Sequence, residues 1–233
     1  MRKKLATPWS SISDLMSALM MVFLFISISY AFQVSKQAQE LAKKSEKIDE
    51  ITSDYAEKNL AIYNDLVKSF SSRLSEWKAT IDKDTLTFRF NDPALLFEPG
   101  SAELTPRFVI ILEDFWSEYV TILSRHSASI REVKIEGHTS SEWANATLDE
   151  SYFNNMGLSQ QRTRTTLEQC YASTPDKDKK WVRTYVTANG MSFSRLIKDA
   201  TGLEDKSRSR RVEFTIVVDA RSRLNKIMGE LND

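Results

Sequence analysis

The chain has 233 residues, room for one membrane span, a connector and one domain of ordinary size. Lysine plus arginine and aspartate plus glutamate both number 32, so the net charge of zero carries no sign of nucleic-acid binding or of an acidic tail. One cysteine, Cys170, excludes an internal disulfide and any cysteine-based metal site.

Residues 12–32 (ISDLMSALMMVFLFISISYAF) are apolar enough to form a single transmembrane helix. At ~1.5 Å rise per residue the run reaches about 30 Å, the thickness of a hydrocarbon core. Asp14 is its only charged residue. An acid inside a span is costly and is found where ions or protons move. The plainer alternative is a helix cap at headgroup level, next to Trp9, Ser10, Ser11 and Ser13. Arg2, Lys3 and Lys4 precede the span without an acid, so residues 1–11 are expected in the cytoplasm and everything after Phe32 outside it. Ser29-Tyr30-Ala31 resembles a signal-peptidase site, but the acid at the head of the apolar run and the length of that run favour a retained anchor.

No Gly or Pro occurs between Pro8 and Pro93, so nothing there forces the backbone to break. Residues 33–82 are expected to form a helical connector. Leu41, Ile48, Ile51, Tyr55, Ile62 and Leu66 recur at threes, fours and sevens, with Phe70, Leu74, Trp77 and Ile81 continuing the stripe. That pattern favours pairing with a second copy of the chain; Ser45 and Lys58 near seam positions point to a short or broken coiled coil, and a solvated single helix is the alternative.

Residues 83–220 read as a compact α+β domain and residues 221–233 as a terminal helix or tail. Strands are expected at Thr85–Phe90, Arg131–Glu136, Val182–Thr187 and Arg211–Val218, and helices after Pro106 and from Leu158 to about Tyr171. The order is β-α-β-α-β-β, with helices packed on one face of a small sheet. Gly137 frees the backbone at a strand end, and Thr139 and Ser140 then fall in a loop beside the start of the Leu158 helix, where unpaired amides attract an anion. Arg162, one turn further on, is suited to a two-pronged bond with a carboxylate. His138 has only His126 for company and reads as a structural hydrogen-bonding residue. No catalytic triad, paired acids, metal constellation or phosphate-cradling loop has sensible spacing, so an enzyme is not expected.

From about Asp84 to Asp219 the chain resembles the OmpA-like peptidoglycan-binding domain family. The matching pieces are Leu96-Phe97-Glu98-Pro99-Gly100-Ser101-Ala102-Glu103-Leu104, Ile135-Glu136-Gly137-His138-Thr139-Ser140, Asn155-x-x-Leu158-Ser159-x-x-Arg162, and Arg210-Arg211-Val212-Glu213-Phe214. The resemblance implies that Asn155, Leu158 and Arg162 contact the diamino acid of the peptidoglycan stem, with Thr139 and Ser140 beside them; helix packing is the alternative for Leu158. Many family members have an Asp that binds the stem ammonium where this chain has Ser140, and Glu142 is near enough in sequence to substitute.

One acid-bearing span ahead of such a domain is the layout of MotB-type stator B subunits. The segment Pro8–Phe25 is similar to that of the ZorB family, the MotB-like subunits of Zorya anti-phage systems. The resemblance implies that Asp14 carries an ion, H⁺ or Na⁺, with no bound cofactor. It also implies an inner-membrane location, a ring-forming ZorA-type partner resembling the MotA pentamer, and pairing of two copies held to peptidoglycan by the periplasmic domain. A flagellar or gliding stator and a passive wall tether are the alternatives.

Overall fold

The computed structural model describes residues 8–98 and 100–219, which divide into one unit ending at Thr52 and a second beginning at Ser53. The expected terminal helix at 221–233 and most of the segment 1–11 lie outside the described residues. Helix α1 runs Pro8–Phe70, with proline where its missing N–H costs nothing. From Ile12 to Phe32, in the first unit, its apolar side chains are exposed on every side, with Phe23 60% and Phe32 73% exposed. Among the described residues it is the one helix long and apolar enough to cross a membrane.

In the second unit α1 changes character. Ile62, Leu66 and Phe70, one turn apart on one face, are all fully buried in the domain core. The helix stops at Phe70 rather than continuing to Asp82 as expected: a run of turns follows, with Lys78 at φ 50°, and strand β1 (Ala79–Asp82) begins. The apolar stripe through Leu74, Trp77 and Ile81 is real, but it is buried against the domain instead of continuing a connector helix.

The sheet has the order β1-β2-β5-β3-β4, where β2 is Thr87–Phe90, β3 Ile130–His138, β4 Val186–Gly190 and β5 Arg211–Val218. Neighbours pair antiparallel except β3 with β4, which are parallel. Strand β2 starts two residues later than Thr85 because Leu86 turns at φ 50°. One sheet face carries Phe88, Phe90, Val133, Ile135, Val212 and Phe214, paired across strands as Phe88↔Phe214 and Ile135↔Phe214. Phe115 on helix α3 (Pro106–Arg125) closes that core, with ring centroids 4.6 Å from Phe88 and 5.0 Å from Phe214. The opposite face carries a polar ladder, Arg89↔Glu213↔Glu136 and Thr87↔Thr215.

Two helical expectations need correction. Helix α4 is Leu148–Ala172, so Leu158 lies at its middle and not at its start. Thr147 and Glu150 form a reciprocal capping box that fixes the start ten residues earlier, and Asp149 and Glu150 add acid to the first turn. The segment expected as a strand at Val182–Thr187 is mostly helix α5 (Asp176–Tyr185), led by Pro175, Asp176 and Asp178, and the strand starts at Val186. Two four-residue helices complete the domain, α2 (Pro93–Leu96) after β2 and α6 (Lys206–Ser209) before β5.

Candidate functional site

The site grows from a close approach of α4 to the sheet. Gly137 and Gly190 are paired across β3 and β4, and α4 rests on them. A Cβ on Gly137 would lie 2.7 Å from Thr163 Cγ2, and one on Gly190 would lie 2.4 Å from the Gln160 backbone nitrogen. The matching face of α4 is small or polar, with Ser151, Asn155, Ser159, Thr163, Thr166 and Cys170 buried. Gly137 thus serves this contact inside β3 rather than freeing a loop, as the sequence had suggested.

That contact brings Arg162 to the strand end, where β3 finishes and β5 begins. A cleft of about 430 Å³ opens there, lined by Phe97, Glu98, Gly100, Arg162, Arg210 and the ends of both strands. Arg162 Nε donates to the Ser101 carbonyl at 2.9 Å, and its guanidinium lies 4.8 Å from the centroid of the Phe97 ring. Its two terminal nitrogens have no partner among the described residues, a free fork of the shape that fits a carboxylate. Burial, and after it the nearby Arg210 charge, pull the Arg162 guanidinium down to about 10, so it remains cationic at neutral pH.

Beneath the cleft lies a buried ionic network. Glu213 Oε1 accepts from Arg89 Nε at 2.6 Å and Arg211 Nε at 2.7 Å, while Oε2 is 3.3 Å from His138 Nε2. Burial pushes this carboxyl up, but His138 and the arginines outweigh burial and hold it well below the usual carboxylate range. His138 is pulled down by burial first, against the pull of Glu213 and with Arg211 adding to the fall. Glu136, His138 and Glu213 bring ligand-type atoms within 4.8 Å of one another, two acids beside His138 that the sequence reading had not seen. Arg195 Nη1 sits 3.3 Å from Glu136, so three guanidiniums already share the two carboxylates. The arrangement orders the sheet end that carries Arg211 and His138.

Of the residues expected at the site, Arg162 lines the cleft. Thr139, Ser140 and Asn155 are buried beside it: Thr139 N–H donates to the Ser192 carbonyl at 2.9 Å, and Asn155 Nδ2 donates to the Glu142 carbonyl at 3.2 Å. Thr139 and Asn155 thereby hold the loop after β3 against the β4–β5 connection and α4. Leu158 is half-buried on α4, outside the cleft lining. The helix-start anion site is not formed there, because the first turn of α4 lies at Thr147 with its cap satisfied. Glu142 is engaged elsewhere, in ion pairs with Lys206 and with Arg210 at 3.8 Å. Asp14 stands on the exposed first-unit stretch of α1. Sequence reasoning missed Glu98, Phe97 and Arg210 as cleft residues; all three sat in recognised motifs, but only the fold brings those motifs together.

An N-terminal helix of membrane-spanning length leading into an α+β domain with a five-stranded mixed sheet defines the class of protein. No protein-family model matches the chain. It is 45% identical over 224 residues to the Zorya protein ZorB of Escherichia coli (Crooks strain), a match covering 95% of this chain and 92% of that one. The chain belongs to the ZorB family. Similar solved structures include a MotB-like protein from Desulfovibrio vulgaris, 24% identical over 70% of this chain and 93% of that one, with a TM-score of 0.49. Another is the periplasmic domain of Helicobacter pylori MotB, 17% identical over 63% and 83% of the two chains, with a TM-score of 0.45.

Proposed function

We propose that this chain is the stator-like B subunit of an ion-driven rotary motor in anti-phage defence, anchored by its α+β domain to peptidoglycan. The reading rests on one chain combining a lone carboxylate, Asp14, in an apolar helix with a cleft whose free cation is Arg162. Hydrocarbon disfavours a charged carboxylate, so taking up and releasing H⁺ or Na⁺ changes which helix contacts Asp14 favours. A ring of ZorA-type partner subunits around a pair of these chains converts that alternation into rotation. The N-terminus, with Arg2, Lys3 and Lys4, faces the cytoplasm and the domain faces the periplasm. Arg162 takes a stem-peptide carboxylate, and holding the domain to the wall leaves the ring as the part that turns. Thr139 and Asn155 support the loop beside this contact, and Ser140 is buried within it.

The test is phage protection by cells carrying the full operon with Asp14→Asn, with a blot showing the chain full-length and in the membrane fraction. Loss of protection at normal levels is expected. Unchanged protection would remove the ion-carrying role and leave a passive tether.

A further inference from the structure

Trp143 stands apart from the tryptophans of the domain core. Trp77 and Trp116 are buried and Trp181 packs against them, whereas Trp143 is 39% exposed and makes no hydrogen bond or ring contact among the described residues. The loop that carries it, between β3 and α4, is nevertheless pinned at several points. Ser141 N–H donates to Glu204 Oε1 at 3.0 Å, and the Ser141 hydroxyl donates to the same carboxylate. The Glu142 carbonyl, one residue before the indole, accepts from Asn155 Nδ2 at 3.2 Å. Asn145 then turns the chain at φ 57°, and Thr147 ends the loop as the cap of α4. A large ring is thus held in water on a fixed loop, with apolar area that a ligand can cover.

Beside the ring opens a groove of about 530 Å³, lined by Glu142, Ala144, Ala146 and Leu148 among others. It adjoins the cleft. Glu142 lines the groove, Arg210 lines the cleft, and their side chains pair at 3.8 Å, with Lys206 also on Glu142. An apolar partner would strip water from these three charges and put nothing in its place. A pyranose ring does better: its C–H face suits the indole, and its hydroxyls suit a carboxylate that has lone pairs beyond those its cations use. We infer that the Trp143 groove is a saccharide subsite, in which the indole stacks on one sugar ring of the glycan strand. This subsite rests on the wall-binding reading and deepens it, because a stem peptide held at Arg162 is covalently joined to a glycan and brings that strand within reach of the adjoining groove. Charge then serves the peptide and the ring serves the sugar. The sugar contact, carrying no net charge, should be far less sensitive to salt than the one at Arg162.

The test uses the full chain in detergent micelles and two probes: glycan strands stripped of their peptides by an amidase, and a stem tripeptide ending in the diamino acid, free of sugar. Calorimetry and tryptophan emission follow each titration. The wild type should bind the stripped strands with a blue shift of emission. Trp143→Ala should lose that shift and bind the strands about tenfold more weakly, the scale of one stacking contact, while Trp143→Tyr recovers part of the affinity. Arg162→Ala should lose the tripeptide and keep the strands. Because the indole is exposed on a loop, circular dichroism should show the Trp143 variants folded. Stripped strands that fail to bind the wild type, or that bind Trp143→Ala equally well, overturn the inference and leave peptide binding through Arg162 standing. A change in assembly size in Trp143→Ala with strand binding unmoved also overturns it, giving the groove to a second copy of the chain. A wild type that binds neither probe and is not retained on intact sacculi overturns the wall-binding reading and the subsite together.

Discussion

Helix α1 is one element serving two environments. From Ile12 to Phe32 its large apolar side chains point to every side and lie exposed, Leu24 at 54% and Phe25 at 70%. After Ser53 one stripe of apolar residues turns inward, and its Ile62, Leu66 and Phe70 are completely buried. Secondary structure is the same in both stretches, so helical propensity does not distinguish them. What does is the angular spread of apolar residues: an all-round apolar surface suits lipid, whereas a stripe with Asn, Asp and Lys around it suits a protein core in water. The lesson is that the last turns of α1 are part of the domain, and a boundary drawn where the helix ends would cut through its core.

Breaking that difference should give the largest effect. Phe70 meets Phe88 and Phe115, each at a centroid distance of 5.4 Å, and Arg73 stacks over its ring at 5.0 Å. Phe70→Ala should cost the domain about 3–5 kcal/mol, the scale for emptying a buried phenylalanine site, seen as an earlier denaturant midpoint of the near-ultraviolet signal. Phe25→Ala, on the same helix, should leave that midpoint where it is in detergent. Equal shifts would mean the two stretches are not as different as their burial implies. Next in size is Gly190→Ala. Its new Cβ would press on the Gln160 backbone, which cannot rotate away, so about 1–3 kcal/mol is expected, with weaker binding because α4 carries Arg162 away from the strand end.

The same contrast explains what could be read beforehand. The long apolar helix was legible because its length and composition are written in the sequence, and β5 because RVEFTIVV alternates over a fully paired strand. Strand β1 was hidden: ATID follows a helical stripe, and the turn before it uses Lys78 at positive φ with no glycine to mark it. Helix α4 was misplaced because its buried face is serine, threonine and asparagine, which produce no apolar period; the usable signal was Thr147 three residues before Glu150. In α5 the alternation of Val182 and Thr184 resembled a strand, although Val182 is buried while Trp181 and Tyr185 pack against the core. Arg162 was readable from its motif. Its partners in the cleft come from the loop after β2 and from the residue before β5, and distance along the chain hides such meetings.

The domain, and not the span, should also respond to acid. His138 is held below its ordinary value, so the unfolded chain takes up a proton that the folded one resists, and stability falls as pH drops below about 6.5. Glu213 is held low as well, so its contribution is present above about 4.3 and fades as pH falls further. Both act in the same direction. Melting temperature should decline from pH 7.5 to 5 and more steeply below 4.5, while the helical signal of the span persists in detergent. A level profile across that range would mean the buried network does not control domain stability.

The smallest effect separates the start of α4 from the cleft. Thr147 Oγ1 accepts from Glu150 N–H at 3.3 Å, and Glu150 accepts from Thr147 N–H at 2.8 Å, so the N-cap and the third residue of the helix answer each other's N–H groups. Thr147→Ala removes one side of that exchange at an exposed site and should cost about 0.5–1 kcal/mol, a shift of a few degrees in melting temperature. Retention on peptidoglycan sacculi should not change, because Arg162 lies about four helical turns further along α4 and is positioned by Gly137, Gly190 and Ser101. If retention fell together with the cap, anion capture at the helix start would have to share the work now given to Arg162. If melting shifts and retention holds, the proposed wall contact depends on how closely the middle of α4 approaches the sheet, and the way the helix begins matters only for stability.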